Sequence, residues 1–464
     1  MATWMLGLAS LALSAPVRPV VEVEEAVYDP APADNGAGPL WCYGSTCLAR
    51  TAGELFASGI DTIPGAKPLN NVRWVLFRRT RSGWERVRQD EVERTREPCP
   101  VAAFADGRLF LSANPTLTPP DTYSGPARPV VFQFHARNPG GPPVREVPAW
   151  EGSPPFTEHS YRGFCADGPG RELLLFQNVG HEAFHWSLRD RAGRWSASGR
   201  IPFPMGVEYE KPEPIRLCYP ELALRSRAAH VLAISDIVEP VREWREFKRK
   251  LTGREWDYDF RRLFYLWTPD LTGRPFSTPL EVATREKTCG HITNLDLWLD
   301  GRGRAHLLWL ERSVLYSQMR DRFFPGTPLT TSLEYAIVDR GRVAHRLTLA
   351  KGGEGASTEI PGWSRFHALP GGRLFVFAHF GGQDTSGRPV NENRLIPLED
   401  GRAGEPVVVP LKHPFTSFMT ATERGGSPPS EVLDLLGTAS GRPGISYARI
   451  RLGTGSVRVA VAVH

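Results

Sequence analysis

Apolar residues recur along the chain in short runs separated by polar turns. Residues 289–311, CGHITNLDLWLDGRGRAHLLWLE, show the layout: a polar start, alternating apolar residues, a charged glycine turn and a second apolar run. Alternation on both sides of a tight turn predicts a β-hairpin. The same layout begins at six other places. These are Cys47, Cys99, Tyr161, Cys218, Phe366 and Phe418.

A second pair of strands is predicted after each of these hairpins. Aromatic and apolar runs typical of such strands span 72–88, 183–198, 262–279 and 313–328. The turn glycines recur at long intervals, such as 54 residues from Gly53 to Gly107 and 70 from Gly301 to Gly371. A period of this length favours propeller blades that carry loops over a helical solenoid.

The sequence therefore predicts an all-β protein, a single β-propeller domain over residues 20–464. Seven four-stranded blades are expected, with six as the alternative. A single four-stranded sheet has two apolar faces, and closing a ring buries both against neighbouring sheets. Two closures remain open: an N-terminal strand near Val20 to Val27, or strands within 444–464 alone.

One segment, 237–262, interrupts the fourth unit. Its apolar positions fall near helical spacing, with Arg and Lys on the other side, which predicts a short amphipathic helix at about 240–252. It is either a surface insertion with packed tryptophans or a lid facing a ligand. The residues concerned are Val241, Trp244, Phe247 or Lys248, Leu251 and Trp256.

Composition supports short strands, because Gly (45) and Pro (42) are both abundant. The net charge of +5 comes mostly from arginine, since only seven of the 56 basic residues are Lys. No basic cluster is interleaved with aromatic residues, so a nucleic-acid partner is not expected.

Residues 1–14 predict a signal peptide, with Ala12-Leu13-Ser14 as the cleavage triplet and a simple N-terminal strand as the alternative. The apolar stretch is too short for a stable membrane span. A secreted or periplasmic location is expected.

The six cysteines fit an oxidising compartment without requiring one. Cys42 and Cys47 are close enough to bridge if the segment between them turns. Cys99, Cys218 and Cys289 are expected to be small buried residues, with a Cys/His metal site as the minor alternative. No cofactor is expected.

Polar residues cluster where the predicted innermost strands begin and where the second strands end. In a propeller these points lie on one face, so their side chains are expected to converge at the central funnel. The first set is Tyr43, Cys99, His159, Tyr161, Arg162, Cys218, Tyr219, Cys289, His291, Asn294, Arg365 and His367. The second set is Asn114, Asn178, His181, Asp236, Glu311, Arg312, His379 and Gln383.

Two segments, 159–190 and 291–319, resemble the BNR repeat-containing proteins related to sialidases and propeller polysaccharide lyases. Each has a His or polar start, an apolar strand, a D-x-x-G-like turn and a second apolar strand. SLRDRAGRW (187–195) is similar to the sialidase Asp box, but has one extra residue and an Arg in place of Thr.

The resemblance implies a sugar or polyanion in the funnel. Propeller lyases use a Tyr and a His to handle the C5 proton of a uronate, while an Arg neutralises its carboxylate. The matching residues are His291 or His181, Tyr161 or Tyr219, and Arg162 or Arg365. A sialidase grip would use Arg162, Arg312 and Arg365, whereas a glycosidase would need two carboxylates from Glu221, Asp236 and Glu311.

The substrate-binding set is expected to include Asn178, Asn294, Glu311, Asp236 and His379 beside these arginines. Each residue also has a structural alternative: a packed histidine, or an arginine tying two blades, as for Arg312 beside Glu311. The leading hypothesis is a secreted, monomeric lyase or glycoside hydrolase acting on an acidic polysaccharide. The alternative is a non-catalytic propeller that binds glycan or protein.

Overall fold

The computed structural model describes residues 17–67, 69–254 and 258–454. In these residues, seven antiparallel sheets stand around one axis, and their innermost strands contact one another in a closed ring. The predicted seven-bladed propeller is confirmed, and the six-blade alternative is wrong.

The strands follow one another along the chain in blade order. The chain begins with β1 (Val17–Tyr28). Blade 1 contains β2 (Leu48–Thr51), β3 (Glu54–Thr62), β4 (Val72–Thr80) and β5 (Gly83–Gln89). Blade 2 contains β6 (Val101–Ala103), β7 (Arg108–Ala113), β8 (Val130–His135) and β9 (Val144–Glu146). Blade 3 contains β10 (Arg162–Asp167), β11 (Glu172–Val179), β12 (Ala183–Arg189) and β13 (Trp195–Pro202).

A small hairpin, β14 (Met205–Gly206) with β15 (Glu213–Pro214), precedes blade 4. Blade 4 contains β16 (Leu217–Arg225), β17 (Ala228–Ser235), the short insertion strands β18 (Ile237–Val238) and β19 (Tyr258–Asp259) that flank helix α1 (Arg242–Thr252), then β20 (Arg262–Thr268) and β21 (Leu280–Thr284). A 3-10 turn, Glu286–Thr288, leads out of it.

Blade 5 contains β22 (His291–Leu299), β23 (Ala305–Arg312), helix α2 (Ser317–Phe323), β24 (Thr330–Asp339) and β25 (Arg342–Gly353). Blade 6 contains β26 (Glu359–Ala368), β27 (Leu374–Gln383), β28 (Pro389–Glu399) and an outer strand in two pieces, β29 (Arg402–Ala403) and β30 (Val407–Val409). Blade 7 contains β31 (Phe415–Thr420), β32 (Val432–Ala439) and β33 (Ile445–Thr454).

The ring is closed by the N-terminal strand. β1 pairs antiparallel with β33, with Val17 opposite Thr454 and Tyr28 opposite Ile445, so β1 is the outermost strand of blade 7. Of the two closures left open by the sequence, the structure has the one that uses the segment from Val20 to Val27.

The hydrophobic core lies between blades rather than within them. All seven residues of β12 are buried, whereas only one of the twelve residues of β25, on the outside of blade 5, is buried. One core cluster joins Phe176 and Phe184 of blade 3 to Leu222 and Val231 of blade 4. Because the inner strands of each blade are covered on both faces, they are buried along most of their length instead of alternating between buried and exposed residues.

The predicted helix in the fourth unit is confirmed as α1. It packs on α2 through Trp244 against Phe324 and Phe247 against Phe323, with ring centroids 5.2 and 5.4 Å apart. Trp256 and residues 1–14 lie outside the described residues.

The interpretation of 313–328 as two strands is wrong. The segment is a loop that contains α2, and the third strand of blade 5 is β24. The aromatic residues Phe323 and Phe324, which led to the prediction of strands, pack against α1 instead of a neighbouring blade. No helix in the described part of the chain is both long and apolar enough to cross a membrane.

Candidate functional site

Six aromatic side chains cover the channel on the top face, the face on which the innermost strands begin. Tyr219 is central, with its ring 4.3 Å from that of Tyr43 and 4.8 Å from that of Tyr161. Trp363 meets Tyr43 edge-on at 5.3 Å. We call this set the aromatic floor. Its members are Trp41, Tyr43, Tyr161, Tyr219, Phe260 and Trp363.

Tyr219 is held at the centre by an irregularity in β16. The pairing of β16 with β17 shifts between Cys218 and Glu221, and Tyr219 adopts a left-handed φ of 47°. The Asn294 amide donates to the Tyr219 carbonyl at 2.8 Å. A buried carbonyl needs such a partner, so Asn294 stabilises this backbone conformation.

A buried ion network closes the channel beneath the aromatic floor. Arg424 Nε lies 2.9 Å from Asp296 Oδ1, and Arg365 Nη1 lies 3.5 Å from Glu221 Oε1. Burial raises the pKa of Glu221 to about 8, although Arg424 and Arg365 oppose this. The four residues come from blades 4 to 7, so the network also ties those blades together.

Beside the floor, Arg216 joins two phenols, a carboxylate and an imidazole. Its guanidinium lies over the rings of Tyr161 and Tyr258, 5.7 and 5.1 Å from their centroids. Nη2 pairs with Asp236 Oδ2 at 2.6 Å, and Nη1 lies 3.4 Å from His181 Nε2. We call these five residues the Arg216 cluster.

Three partners of Arg216 in the cluster, His181, Tyr161 and Asp236, have a shifted pKa. Burial, and then the charge of Arg216, lowers the pKa of His181, so its imidazole is neutral at neutral pH. Burial, together with the nearby Asp236, raises the pKa of Tyr161, so its phenol keeps its proton. Burial also raises the pKa of Asp236, against the opposing effect of Arg216. The cluster thus combines a neutral base, a protonated acid and a fixed cation.

The fold brings several of the sequence-predicted site residues together. Tyr161, Tyr219, His181 and Asp236 belong to the floor or the cluster. His291 borders them, with its ring 5.8 Å from Phe260. Burial lowers the pKa of His291 to about 4.

Two predicted substrate ligands lie beneath the floor instead of within reach of the funnel. Asn294 bonds to the Tyr219 carbonyl, and the Asn178 side-chain oxygen accepts the backbone N–H of Tyr161. Both are buried, and both orient the backbone of floor residues.

Two of the predicted arginines are blade ties. Arg162 donates to the carbonyls of Ser112 and Pro98, at 3.0 and 2.6 Å. Arg365 donates to the Tyr43 carbonyl at 2.6 Å and to that of Leu295. They are 4% and 2% exposed, so their guanidinium groups are engaged inside the protein. This placement does not support the sequence prediction that Arg162 or Arg365 binds the carboxylate of a substrate.

Three further predicted residues lie away from the floor. Glu311, on the second strand of blade 5, is buried and pairs with Arg285 and with Arg346. Arg312 is exposed beside a small surface groove that Ile360 also lines. His379 Nε2 lies 2.9 Å from the side-chain oxygen of Asn391 on β28.

Sequence reasoning missed Arg216 and Tyr258. Arg216 stands just before Cys218, at the start of an innermost strand, which is the position type that marked the other candidates. Tyr258 follows α1, and only the folded insertion brings it over Arg216.

Cys99, Cys218 and Cys289 are buried in the core, as expected for packing residues. Within residues 17–67, 69–254 and 258–454, no three His, Cys, Asp or Glu side chains are grouped so as to hold a metal ion. The structure therefore gives the minor metal hypothesis no site in that part of the chain.

A cavity of about 1000 Å³ opens on the opposite, bottom face. It is lined mostly by apolar residues, among them Leu224 near the end of β16, Trp298 near the end of β22 and Pro428 between β31 and β32. Arg424 also lines it and belongs to the buried ion network. That network therefore separates this cavity from the aromatic floor.

No family profile matches the chain, and no curated protein matches it. Solved structures do. Polysaccharide lyase Uly1 has 10% identity and a TM-score of 0.51, covering 93% of each chain. An α-L-arabinanase of Penicillium chrysogenum, complexed with arabinobiose, has 12% identity and a TM-score of 0.43, covering 93% of this chain and 98% of its own. A PL25 ulvan lyase has 9% identity and a TM-score of 0.47, covering 93% and 95%. At such identities the similarity to Uly1 shows a common propeller fold.

Proposed function

We propose that this protein is a carbohydrate-active enzyme, a lyase that cleaves an acidic polysaccharide on the top face of the propeller. The observation that carries the proposal is Arg216, held between Tyr161 and Tyr258 with His181 against its guanidinium. A planar guanidinium suits a carboxylate ligand, and aromatic rings suit the apolar faces of sugars. Uly1, which shares the fold, is by its name a polysaccharide lyase.

Each member of the Arg216 cluster has a role in such a reaction. A uronate carboxylate displaces His181 as the partner of Arg216 Nη1, which leaves His181 Nε2 free to accept the C5 proton. The C5–H electrons form the C4–C5 double bond as the C4–O bond breaks, and the Tyr161 phenol protonates the departing oxygen. Arg216 stabilises the charge that develops on the carboxylate.

A hydrolytic mechanism fits the geometry less well. It requires two carboxyl groups flanking an open bond, whereas Glu221, Asp236 and Glu311 are all buried and paired with arginines. We therefore propose an elimination mechanism in preference to a hydrolytic one.

The proposal is tested by incubating the protein with a panel of uronate-containing polysaccharides and following the ultraviolet absorbance of the unsaturated uronate product. Replacing a general acid or base costs about 10²–10⁴-fold in rate, so His181→Ala and Tyr161→Phe should each lose at least a hundredfold in kcat. Because the pKa of His181 is lowered, the acid limb of kcat/KM should lie below the ordinary histidine value of about 6.5.

His379→Ala is the matched control, because this histidine lies on the rim of blade 6 and outside the cluster. It should retain wild-type activity. Saccharide binding without any product across the panel would instead establish the non-catalytic, glycan-binding alternative. Equal activity of His181→Ala and His379→Ala would exclude His181 as the base.

We further propose that the protein is exported to the periplasm or secreted and acts as a monomer, in line with the apolar stretch at residues 1–14. N-terminal sequencing of protein recovered from the periplasm or medium should begin after Ser14. Light scattering on the eluted protein should give a mass close to that of one chain.

A further inference from the structure

A six-residue loop before blade 1, residues 42–47, carries two thiols in contact. Cys42 Sγ and Cys47 Sγ are 3.4 Å apart, both residues are buried, and both are free thiols. The Ser45 N–H donates to the Cys42 carbonyl at 2.8 Å, a turn that brings the two cysteines side by side. The sulfurs need to approach by only about 1.4 Å to reach the S–S bond length.

The residues between the two cysteines support the top of the channel. The Tyr43 ring stacks on Tyr219 in the aromatic floor, and its carbonyl accepts from Arg365. The Gly44 carbonyl accepts from Arg424 at 2.8 Å. The loop therefore connects the aromatic floor to the buried ion network below it.

The same loop reaches two other blades through its hydroxyl groups. Ser45 Oγ accepts the Phe164 N–H of blade 3 at 3.0 Å, and the Thr46 hydroxyl donates to the Thr420 carbonyl of blade 7 at 2.8 Å. A constraint on loop 42–47 is thus transmitted to contacts around much of the ring.

We propose that Cys42 and Cys47 are a modification site, a dithiol that a disulfide-bearing oxidant converts to an intramolecular bridge, and that this bridge fixes Tyr43 in the aromatic floor. Formation of the bridge does not depend on the proposed function. Only its effect on saccharide binding rests on that function.

Cys47 is the first nucleophile. The Cys42 thiol, 3.4 Å from its sulfur, and then the Ser58 hydroxyl lower the pKa of Cys47, whereas burial raises the pKa of Cys99 to about 11 and of Cys289 to about 12. A thiolate is the reactive form. This separates the pair from the other buried cysteines.

The exchange balances in two steps. The Cys47 thiolate attacks one sulfur of the oxidant, the oxidant's S–S bond breaks, and one thiolate leaves. Cys42 loses its proton and attacks the Cys47 sulfur of the mixed disulfide, which expels the second thiolate. Two protein thiols are oxidised, one disulfide is reduced to two thiols, and the protons from Cys42 and Cys47 end on the released thiols.

The test uses the wild-type protein equilibrated with glutathione disulfide or with dithiothreitol, followed by thiol titration in denaturant. The reduced protein should titrate six thiols and the oxidised protein four, and non-reducing peptide mapping should link Cys42 to Cys47. Closure of a six-residue loop should raise Tm by about 2 °C. Saccharide affinity should be higher in the oxidised form by about two- to fivefold.

Cys42→Ser with Cys47→Ser should abolish the redox difference in Tm, whereas Cys165→Ser, a buried thiol in blade 3, should keep it. Six thiols after oxidation, or a bridge that joins another pair, would overturn the proposal. A bridge and a Tm shift without any saccharide binding would leave the modification site standing and count against the proposed function.

Discussion

At the residue scale, the site depends on one backbone conformation. Tyr219 occupies the left-handed region, which costs a non-glycine residue on the order of 1 kcal/mol or more. The cost is met by the Asn294 hydrogen bond and by ring contacts with Tyr43 and Tyr161. In return, the irregularity in β16 places the phenol over the channel instead of between blades.

Gly44 gives a sharp test of this arrangement. A Cβ on Gly44 would lie 2.6 Å from the Tyr219 carbonyl oxygen and 2.9 Å from that of Pro220. Neither backbone atom can rotate away, so Gly44→Ala should displace loop 42–47 or β16. We expect a loss of about 1–3 kcal/mol in the free energy of unfolding, measured by urea denaturation, and altered near-ultraviolet circular dichroism from the displaced aromatic rings.

Gly301→Ala is the control for this substitution. No atom lies within 4 Å of a Cβ at Gly301, and its φ is not in the left-handed region. It should leave both the stability and the aromatic spectrum nearly unchanged. A Gly44→Ala protein indistinguishable from Gly301→Ala would show that the floor tolerates a shift of Tyr219.

At the element scale, the insertion is anchored by buried charge. Glu239 accepts two hydrogen bonds from Arg261, at 2.8 and 2.9 Å, and pairs with Lys248 of α1 at 3.2 Å. All three side chains are 1% exposed or less. The helix is therefore fixed to blade 4 at its base, next to Tyr258 of the Arg216 cluster.

Removing Glu239 leaves two buried cations with less compensation. Breaking such a pair costs about 3–5 kcal/mol, so Glu239→Ala should be strongly destabilised in urea and should become sensitive to proteolysis within α1. Glu246→Ala removes a carboxylate on the same helix that is 57% exposed and, among the described residues, pairs with Arg242 at the surface. That control should lose less than about 1 kcal/mol, and equal losses for the two variants would contradict the anchoring role.

The elements also show how far sequence could predict the structure. Hairpins with a polar turn, such as β6–β7 and β26–β27, were predictable because the turn and the two apolar runs are local. Helix α2 was not, because its aromatic residues are explained only by contact with α1, which lies far away in the chain.

For the candidate site, the sequence likewise predicted where a strand begins but not which side chain points into the funnel. Tyr161 and Arg162 are adjacent in sequence, yet successive residues of a strand point in opposite directions. Tyr161 therefore joins the floor, while Arg162 lies between blades. The pattern could mark the strand start, but a one-residue difference in register decides which side chain reaches the funnel.

At the scale of the whole molecule, ring closure makes one site from distant parts of the chain. Residues 43, 161, 219, 260 and 363 come from the loops before β2 and β10, from β16, from the insertion and from blade 6. Their rings contact one another through Tyr43 and Tyr219, with centroids 4.3 to 6.3 Å apart. β1 completes the ring only when it pairs with β33. The site and the closed ring are therefore expected to form together.

Tight packing of the ring also predicts how stability depends on pH. His367 is buried in blade 6, where its Nε2 lies 2.8 Å from the Ser430 carbonyl, and burial lowers its pKa to about 4. Burial lowers the pKa of His230 in blade 4 to about 4 as well. In the unfolded chain both titrate near 6.5.

Between pH 4 and about 6.5 the unfolded state binds more protons than the folded state. The contribution of each neutral buried histidine to the free energy of unfolding is therefore fully present above about pH 6.5 and is lost as the pH falls toward 4. Each buried histidine should contribute on the order of 3 kcal/mol to this loss.

Urea denaturation of the wild type and of His367→Gln between pH 4 and 7 measures this loss of unfolding free energy. The glutamine keeps an N–H donor for Ser430 but cannot take up a proton, so its pH slope should be shallower, whereas His135→Gln, at an exposed histidine, should follow the wild type. A wild-type slope unchanged in His367→Gln would mean that blade 6 admits a charged imidazole.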